Sequence, residues 1–385
     1  MDVVKKQNKK ILIYYASVGS GHKFAALPLQ KILISILDKN FSVELIDALD
    51  FFKGSFRTTF RTSQKKLSGF IGKIYDYLWK SKIFIPSEEK LNGLILPFST
   101  TFEKHLLDIN PRVVVSVHGL PAILISYLKK KNLLLKTIHI VVNTDFRPHT
   151  YWPVSGVDLY VVASELGKED LIKMGVSSSK IKVLGIPIRS QFSEVSPKSE
   201  ILKQKFTKSE LPVVLFLAGS LQKGLYGHII KKLYKILDTI DKDFNFLLFV
   251  VTGSDAELKK ELEKYIAQKK IKNVKIFGFV ERMNELLNVS DLLITKPGGL
   301  ICSEALAVGL PMLFLGPNFG QERANAKYFV GENIAVKLRK NENISQKIKE
   351  LLSNPEKLSQ MAKKAKALAK PKAAENIADL IKQFI

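Results

Sequence analysis

Apolar residues in this chain fall into short dense runs, separated by longer stretches in which they recur every three or four positions. Runs at 11–16, 43–46, 113–117, 138–142 and 159–163, and again at 213–218, 246–252, 274–277, 291–295 and 311–315, have the length and the Ile, Val, Leu and Phe content of buried strands. The helical periods between them predict alternating strands and helices, an α/β chain with two parallel sheets. Each half opens with a strand and a glycine-containing loop, Val18 to His22 in the first and Ala218 to Gly224 in the second, so the halves read as a divergent repeat. The polar segment around 190 to 210 reads as a linker, giving domains at 1–190 and 211–370. Pro371 breaks the last helical stretch, and 371–385 form an amphipathic terminal helix.

Composition narrows this picture. With 385 residues, 46% of them hydrophobic, the chain has material for two or three domains with substantial cores. The single cysteine, Cys302, excludes an intramolecular disulfide and a thiolate zinc cluster, and reads as a small helix residue. The basic start and short apolar run at the N-terminus lead into a glycine loop instead of a processing site, so Ile11 to Ala16 reads as the first buried strand. No uninterrupted apolar stretch approaches the roughly 18 residues of a spanning helix.

The formal charge of +24 raises two kinds of partner, nucleic acid and an anionic membrane surface. The chain has no zinc-finger, RNA-binding or basic helix-turn-helix pattern, which disfavours nucleic acid. The first 150 residues carry 23 Lys and Arg against 11 Asp and Glu, and 51–105 combine aromatic residues with basic ones such as Lys53, Arg57, Arg61, Lys65 and Lys66. That composition suits a membrane interface; a solvated lysine face over an aromatic core is the alternative.

The densest chemistry lies in 291–325, DLLITKPGGLICSEALAVGLPMLFLGPNFGQERAN. A helix beginning at Gly299 or Leu300, after the Pro297-Gly298-Gly299 turn, would point its first backbone N–H groups and its positive end at a ligand that glycine lets approach closely. This is a seat for a diphosphate. Glu304, about one turn in, would reach vicinal hydroxyls, and Gln321 and Glu322 are expected on a loop at the same sheet edge. In the first half, Gly21 and His22 follow the first strand. His22 is either a base working near neutral pH or a helix-capping histidine. Asp145, His149 and Trp152 follow the strand IHIVV: Asp145 as a base or the group orienting one, Trp152 against a sugar or a lipid headgroup, with structural roles open for His149 and Trp152. His118, after VVVSV, is a further histidine at a strand end. GSGHKFAA is not a dinucleotide fingerprint. Asp241-Lys242-Asp243 has a metal-binding form but reads as a solvated turn, and no metal ligand set is expected.

SVGSGH at 17–22, NTDFRPHTYW at 143–152, GIPIRSQF at 185–192, GFVERMNELL at 278–287, TKPGGLICSEA at 295–305 and GQERANA at 320–326 resemble, in order and spacing, the glycolipid glycosyltransferases: the bacterial processive diacylglycerol glucosyltransferases and plant monogalactosyldiacylglycerol synthases. The lipid II N-acetylglucosaminyltransferase is a more distant relative. The resemblance implies a GT-B fold, two Rossmann-like domains with an active-site cleft between them and the terminal helix crossing back to the first. It implies inverting transfer of a hexose, glucose before galactose, from a UDP-sugar to diacylglycerol or glycosyl-diacylglycerol at the cytoplasmic face of a membrane, with no metal and no other cofactor. By the same resemblance His22 or Asp145 is the base, Gly219 and Ser220 bind phosphate, Phe279 and Val280 bound the uracil pocket, Glu304 holds the ribose, and Gln321, Glu322 and Asn325 hold the transferred sugar. Phe319, where the family has proline, and the GSLQKG loop at 219–224 depart from the pattern. An N-acetylglucosaminyltransferase on an isoprenoid-linked acceptor and a UDP-sugar epimerase of the same fold are the alternatives, and a basic nucleic-acid-binding protein is the non-enzymatic one.

Overall fold

The computed structural model describes residues 9–17, 21–52, 100–149, 152–192, 200–218, 227–243, 245–316 and 320–385. Two six-stranded sheets, parallel throughout, carry the described residues. The described residues up to Ser190, with Lys370–Ile385, form one compact unit, and the described residues of Gln191–Ala369 form the other.

In the first unit β1 (Lys10–Tyr15), α1 (Gly21–Ile36), β2 (Ser42–Asp47), α2 (Thr100–Ile109), β3 (Val113–Ser116), α3 (Gly119–Lys130), β4 (Ile138–Val142), β5 (Leu159–Val162), α4 (Glu165–Lys173) and β6 (Ile181–Val183) build a sheet in the order β2-β1-β3-β4-β5-β6. Alternate strand residues face opposite layers. Leu12, Tyr14, Val114 and Val141 pack with Ile123 and Leu124 of α3, whereas Ile11, Ile13, Val113, Val115 and Ile140 pack with Ala26, Leu29 and Leu33 of α1. Burial on both faces is why these strands appear in the sequence as apolar runs without alternation.

The second unit runs α5 (Glu200–Phe206), β7 (Val213–Leu217), α6 (Gly227–Asp243), β8 (Leu247–Val251), α7 (Ala256–Lys269), β9 (Val274–Phe277), α8 (Met283–Val289), β10 (Leu292–Thr295), α9 (Gly299–Val308), β11 (Met312–Phe314), α10 (Gly320–Gly331), β12 (Ala335–Lys337), α11 (Ile344–Leu352) and α12 (Pro355–Leu368). Its sheet order is β12-β11-β10-β7-β8-β9. Helix starts are set by polar side chains accepting first-turn N–H groups: Asp255 from Leu258, Asn343 from Ser345 and Gln346, and Asn354 from Lys357. Gly309 ends α9 in the left-handed region at φ 71°, where an added Cβ would also strike the Lys366 side chain at 2.7 Å.

Helix α13 (Ala373–Lys382) belongs to the first unit, burying Ile377, Ala378 and Ile381 against Ile11, Ile13, Leu29 and Leu33. Arg112 Nε donates to the Phe384 carbonyl at 2.8 Å, fastening the chain end to the start of β3. Gly185, at φ 98°, lets Lys370 pass so close that a Cβ there would lie 2.7 Å from the Lys370 Cβ.

Two local expectations change. Part of the segment read as linker is helix α5, and Lys205 Nζ lies 2.6 Å from Glu285 Oε2 of α8, so these residues belong structurally to the second unit. Asp241 and Asp243 belong to the last turn of helix α6 instead of to a turn between elements.

Both sheets change winding direction once. The chain goes from β1 to β2 on one side and then to β3 on the other. In the second sheet β7, β8 and β9 lie to one side and β10 returns beside β7. The crevices at the carboxyl ends of β1 and β3, and of β7 and β10, are where open α/β sheets bind ligands.

Candidate functional site

His22 stands at the first of these crevices, as the second residue of α1. Five residues before it, Ser17 donates its N–H to the buried Asp47 carboxylate at 3.1 Å, which also accepts from Leu49 N–H at 3.0 Å. Gly21 has open space where a Cβ would stand, so no neighbour among the described residues demands its glycine. The half-buried His22 ring has Nδ1 3.1 Å from the Val117 carbonyl, just past β3, and 3.1 Å from Thr144 Oγ1, just past β4. A carbonyl only accepts, so Nδ1 carries the proton and Nε2 keeps the lone pair. Burial lowers the pKa of His22 to about 4, with the Val117 hydrogen bond acting in the opposite direction. The ring is therefore neutral at physiological pH. His118 meets it edge-on at 4.7 Å between centroids. His118 Nδ1 accepts the Leu120 N–H at 3.0 Å and caps α3, and burial holds its pKa well below the ordinary value.

The segment after β4 is held by its own polar network. Asn143 Oδ1 accepts the Asp145 N–H at 2.8 Å, the Arg147 guanidinium makes two 2.7 Å bonds to the Asp170 carboxylate on α4, and Ser164 Oγ donates to the Phe146 carbonyl at 2.8 Å. Among the described residues the hydrogen bonds of His22 go to Val117 and to Thr144, the residue directly before Asp145. Asp145 is half-buried one residue beyond. His149 is half-buried, and burial lowers its pKa to about 3. Of the two roles open to Trp152, its burial favours the structural one. Only 2% of Trp152 is exposed, it packs in the core with Val154, Val157 and Tyr160, and its backbone N–H donates to the His149 carbonyl at 3.0 Å.

In the second unit the Pro297-Gly298-Gly299 turn sits at the carboxyl end of β10. Gly298 is the N-cap of α9, with extended backbone and no side-chain hydrogen bond at the cap, and its own N–H donates to the Lys296 carbonyl at 2.8 Å. Asn325, fully buried on α10, donates through Nδ2 to the Pro297 carbonyl at 3.1 Å and clamps the turn. Lys296 Nζ lies 3.1 Å from Glu322 Oε1. Gln321 and Glu322 open α10 instead of lying on a loop, both half-buried in its first turn. Glu304 is 4% exposed in the second turn of α9. Burial, and then the Glu322 carboxylate, push the Cys302 thiol well above its ordinary pKa, consistent with an inert packing residue.

Phe279, by contrast, is 66% exposed, with Val280 half-buried beside it after the edge strand β9. Beyond it, the buried Glu285 carboxylate is held by Arg282 at 2.8 Å and by Lys205. Gly219, Ser220, the rest of the GSLQKG loop and Phe319 lie outside the described residues, as do Lys53, Arg57, Arg61, Lys65 and Lys66. Among the described residues no group of three or more His, Cys, Asp or Glu side chains is arranged to hold a metal ion. Sequence reading missed Thr144 and Lys296, although each lies inside a segment it singled out; for Lys296 the signal was a cation directly before a glycine turn.

The sheet orders and the motif-bearing strand ends define a GT-B fold. Solved structures agree: MurG of Acinetobacter baumannii (TM-score 0.62, 16% identity, 97% of this chain and 99% of that one) and the UDP-GlcNAc 2-epimerase of Neisseria meningitidis bound to UDP-GlcNAc (TM-score 0.62, 17% identity, 97% and 100%). Residues 22–188 match the monogalactosyldiacylglycerol (MGDG) synthase model, and 213–377 match the glycosyltransferase family 28 C-terminal domain. A processive diacylglycerol beta-glucosyltransferase of Bacillus pumilus is 30% identical over 383 residues, 98% of this chain and 95% of its own length. The chain belongs to that family of diacylglycerol glycosyltransferases.

Proposed function

We propose that this protein transfers a hexosyl group, glucose in the first instance, from a UDP-sugar to the hydroxyl of diacylglycerol or of a glycosyl-diacylglycerol, with inversion at the anomeric carbon. The observation that carries this reading is the nearly full-length relationship to a diacylglycerol beta-glucosyltransferase. His22 supports it as the general base. Its Nε2 lone pair takes the acceptor hydroxyl proton while Nδ1–H stays on the Val117 carbonyl. The acceptor oxygen attacks the anomeric carbon, the bond to the UDP oxygen breaks, and the departing diphosphate takes up negative charge. The N-terminus of α9 is suited to that charge through its backbone N–H groups and dipole, and Lys296 supplies a cation beside the same turn.

In this reading Phe279 offers its exposed ring to uracil, with Val280 bounding that pocket. Gly219 and Ser220 add phosphate donors, Glu304 accepts from the ribose hydroxyls, and Gln321, Glu322 and Asn325 serve the sugar side. Gly21 leaves room for the acceptor, and Asp145 and His149 line its approach. The protein works as a peripheral enzyme at the cytoplasmic face of an anionic membrane; among the described residues no helix is long and apolar enough to cross one.

The test is product analysis with diacylglycerol vesicles and each UDP-hexose in turn. The expected products are UDP and a glycosyl-diacylglycerol. Conversion of UDP-N-acetylglucosamine to its epimer without an acceptor, and no glycolipid from any donor, would replace this reading with the epimerase one.

A further inference from the structure

Three strand ends meet at His22. Val117 follows β3, Thr144 follows β4, and the histidine follows β1, so the adjacency β1-β3-β4 brings together residues 95 and 122 positions apart. Val117 O and Thr144 Oγ1 both lie 3.1 Å from Nδ1, and the His118 ring stands at 89° to the His22 ring with centroids 4.7 Å apart. His118 is itself fixed. Its Nδ1 accepts the Leu120 N–H at 3.0 Å, which orients the ring and leaves its own proton on Nε2. Thr144 is fixed as well, being buried directly beside Asn143, whose N–H donates to the Val161 carbonyl at 2.8 Å.

We propose that His118 and Thr144 are positioning residues for His22, holding its ring in the one orientation and tautomer that leave Nε2 as the free base. The inference rests on His22 being the base, and it adds a cause for the ring's readiness. A single histidine on a helix start can rotate about its side-chain torsions and exchange tautomers. Here Val117 selects Nδ1–H, the Thr144 oxygen lies beside the same nitrogen and resists ring flipping, and the His118 ring blocks rotation from the side. A base held this way loses little orientational freedom when the acceptor hydroxyl arrives. His118 acts through His22; capping α3 is its separate, structural task.

The two tasks of His118 can be separated. His118→Asn keeps a side-chain oxygen for the Leu120 N–H, since asparagine is among the best N-cap residues, but removes the ring. Thr144→Val removes only the hydroxyl at constant shape, and Thr144→Ser restores it. With UDP-glucose and dioleoylglycerol vesicles, His118→Asn and Thr144→Val should each lower kcat about tenfold, with KM for UDP-glucose and the Kd for UDP held within about twofold. Thr144→Ser should recover most of that loss. In side-chain 15N spectra the His22 signals should move from an Nδ1–H pattern toward an average of both tautomers in the two impaired variants.

His22→Asn is the control on the underlying assignment. If it turns over like the parent, the base reading and this proposal fall together. If it abolishes turnover while Thr144→Val, shown folded by cooperative thermal unfolding, keeps the parental kcat and the Nδ1–H pattern, the base reading survives and the positioning proposal is wrong. Thr144→Val alone decides should His118→Asn fail to fold.

Discussion

His139 shows what burial does to a residue that the chemistry does not use. It lies on β4, fully buried, with Nε2 3.0 Å from Ser116 Oγ, and burial lowers its pKa to about 3. His22 and His149 are lowered to about 4 and about 3 for the same leading reason. Unfolded, each takes a proton near its ordinary value of about 6.5, so the unfolded chain binds more protons below that pH and stability falls as pH drops. The loss should begin near pH 6.5 and grow down to about pH 4, at up to about 1.4 kcal/mol per pH unit for each such histidine. Urea denaturation from pH 7.5 to 4.5 measures it. His139→Gln should flatten the slope, and an unchanged slope would mean that His139 titrates normally. At the donor site, Glu304→Ala should weaken UDP binding by about 1.5 to 3 kcal/mol through loss of a charged acceptor. Calorimetric titration of folded parent and variant checks this, and equal affinity would remove Glu304 from the site.

At the scale of elements, the strands were legible because parallel strands buried on both faces leave dense apolar runs. LLIT at 292–295 and VVVS at 113–116 are cases in which the run and the strand nearly coincide. The start of α10 was not legible. GQERANA opens with glycine and polar residues, so its helical period shows only once Tyr328 and Phe329 are reached. The meeting of His22 with Thr144 was hidden for a different reason: no local pattern reports sheet order, and order alone makes residues 122 apart neighbours. Trp152 stayed open between a substrate contact and a structural role because aromatic character near a motif says nothing about which way the ring faces. Helix α13 carries its own prediction. Ile377 is fully buried against Ile11 and Leu29, so Ile377→Ala should cost about 2 to 5 kcal/mol of stability by leaving a cavity, measured by chemical denaturation. A loss under about 0.5 kcal/mol would show that α13 is not a working part of the first unit's core.

At the scale of the whole molecule, the charge of +24 bears on how a chain of this family meets a lipid acceptor. Basic residues near an anionic surface are worth about 1 kcal/mol each, and salt screens that attraction while sparing apolar insertion. Binding should therefore be tighter to anionic than to zwitterionic vesicles and should weaken as salt rises. Replacing Arg57, Arg61, Lys65 and Lys66 together with Gln should reduce vesicle binding and lipid glycosylation but spare UDP binding. If the folded variant sediments with anionic vesicles like the parent at low salt, those residues form a solvated face and membrane contact lies elsewhere. Inverting sugar transfer to a lipid hydroxyl with His22 as base fixes both the anomer formed and the residue it depends on. The most direct measurement is the anomeric configuration of the lipid product, read by NMR after incubating the protein with α-linked UDP-glucose labelled with 13C at the anomeric carbon and diacylglycerol vesicles, for the parent and for His22→Ala. A β-glucosyl-diacylglycerol is expected from the parent and none from His22→Ala, although the variant still binds UDP. An α-linked product, or undiminished β product from the variant, would contradict it.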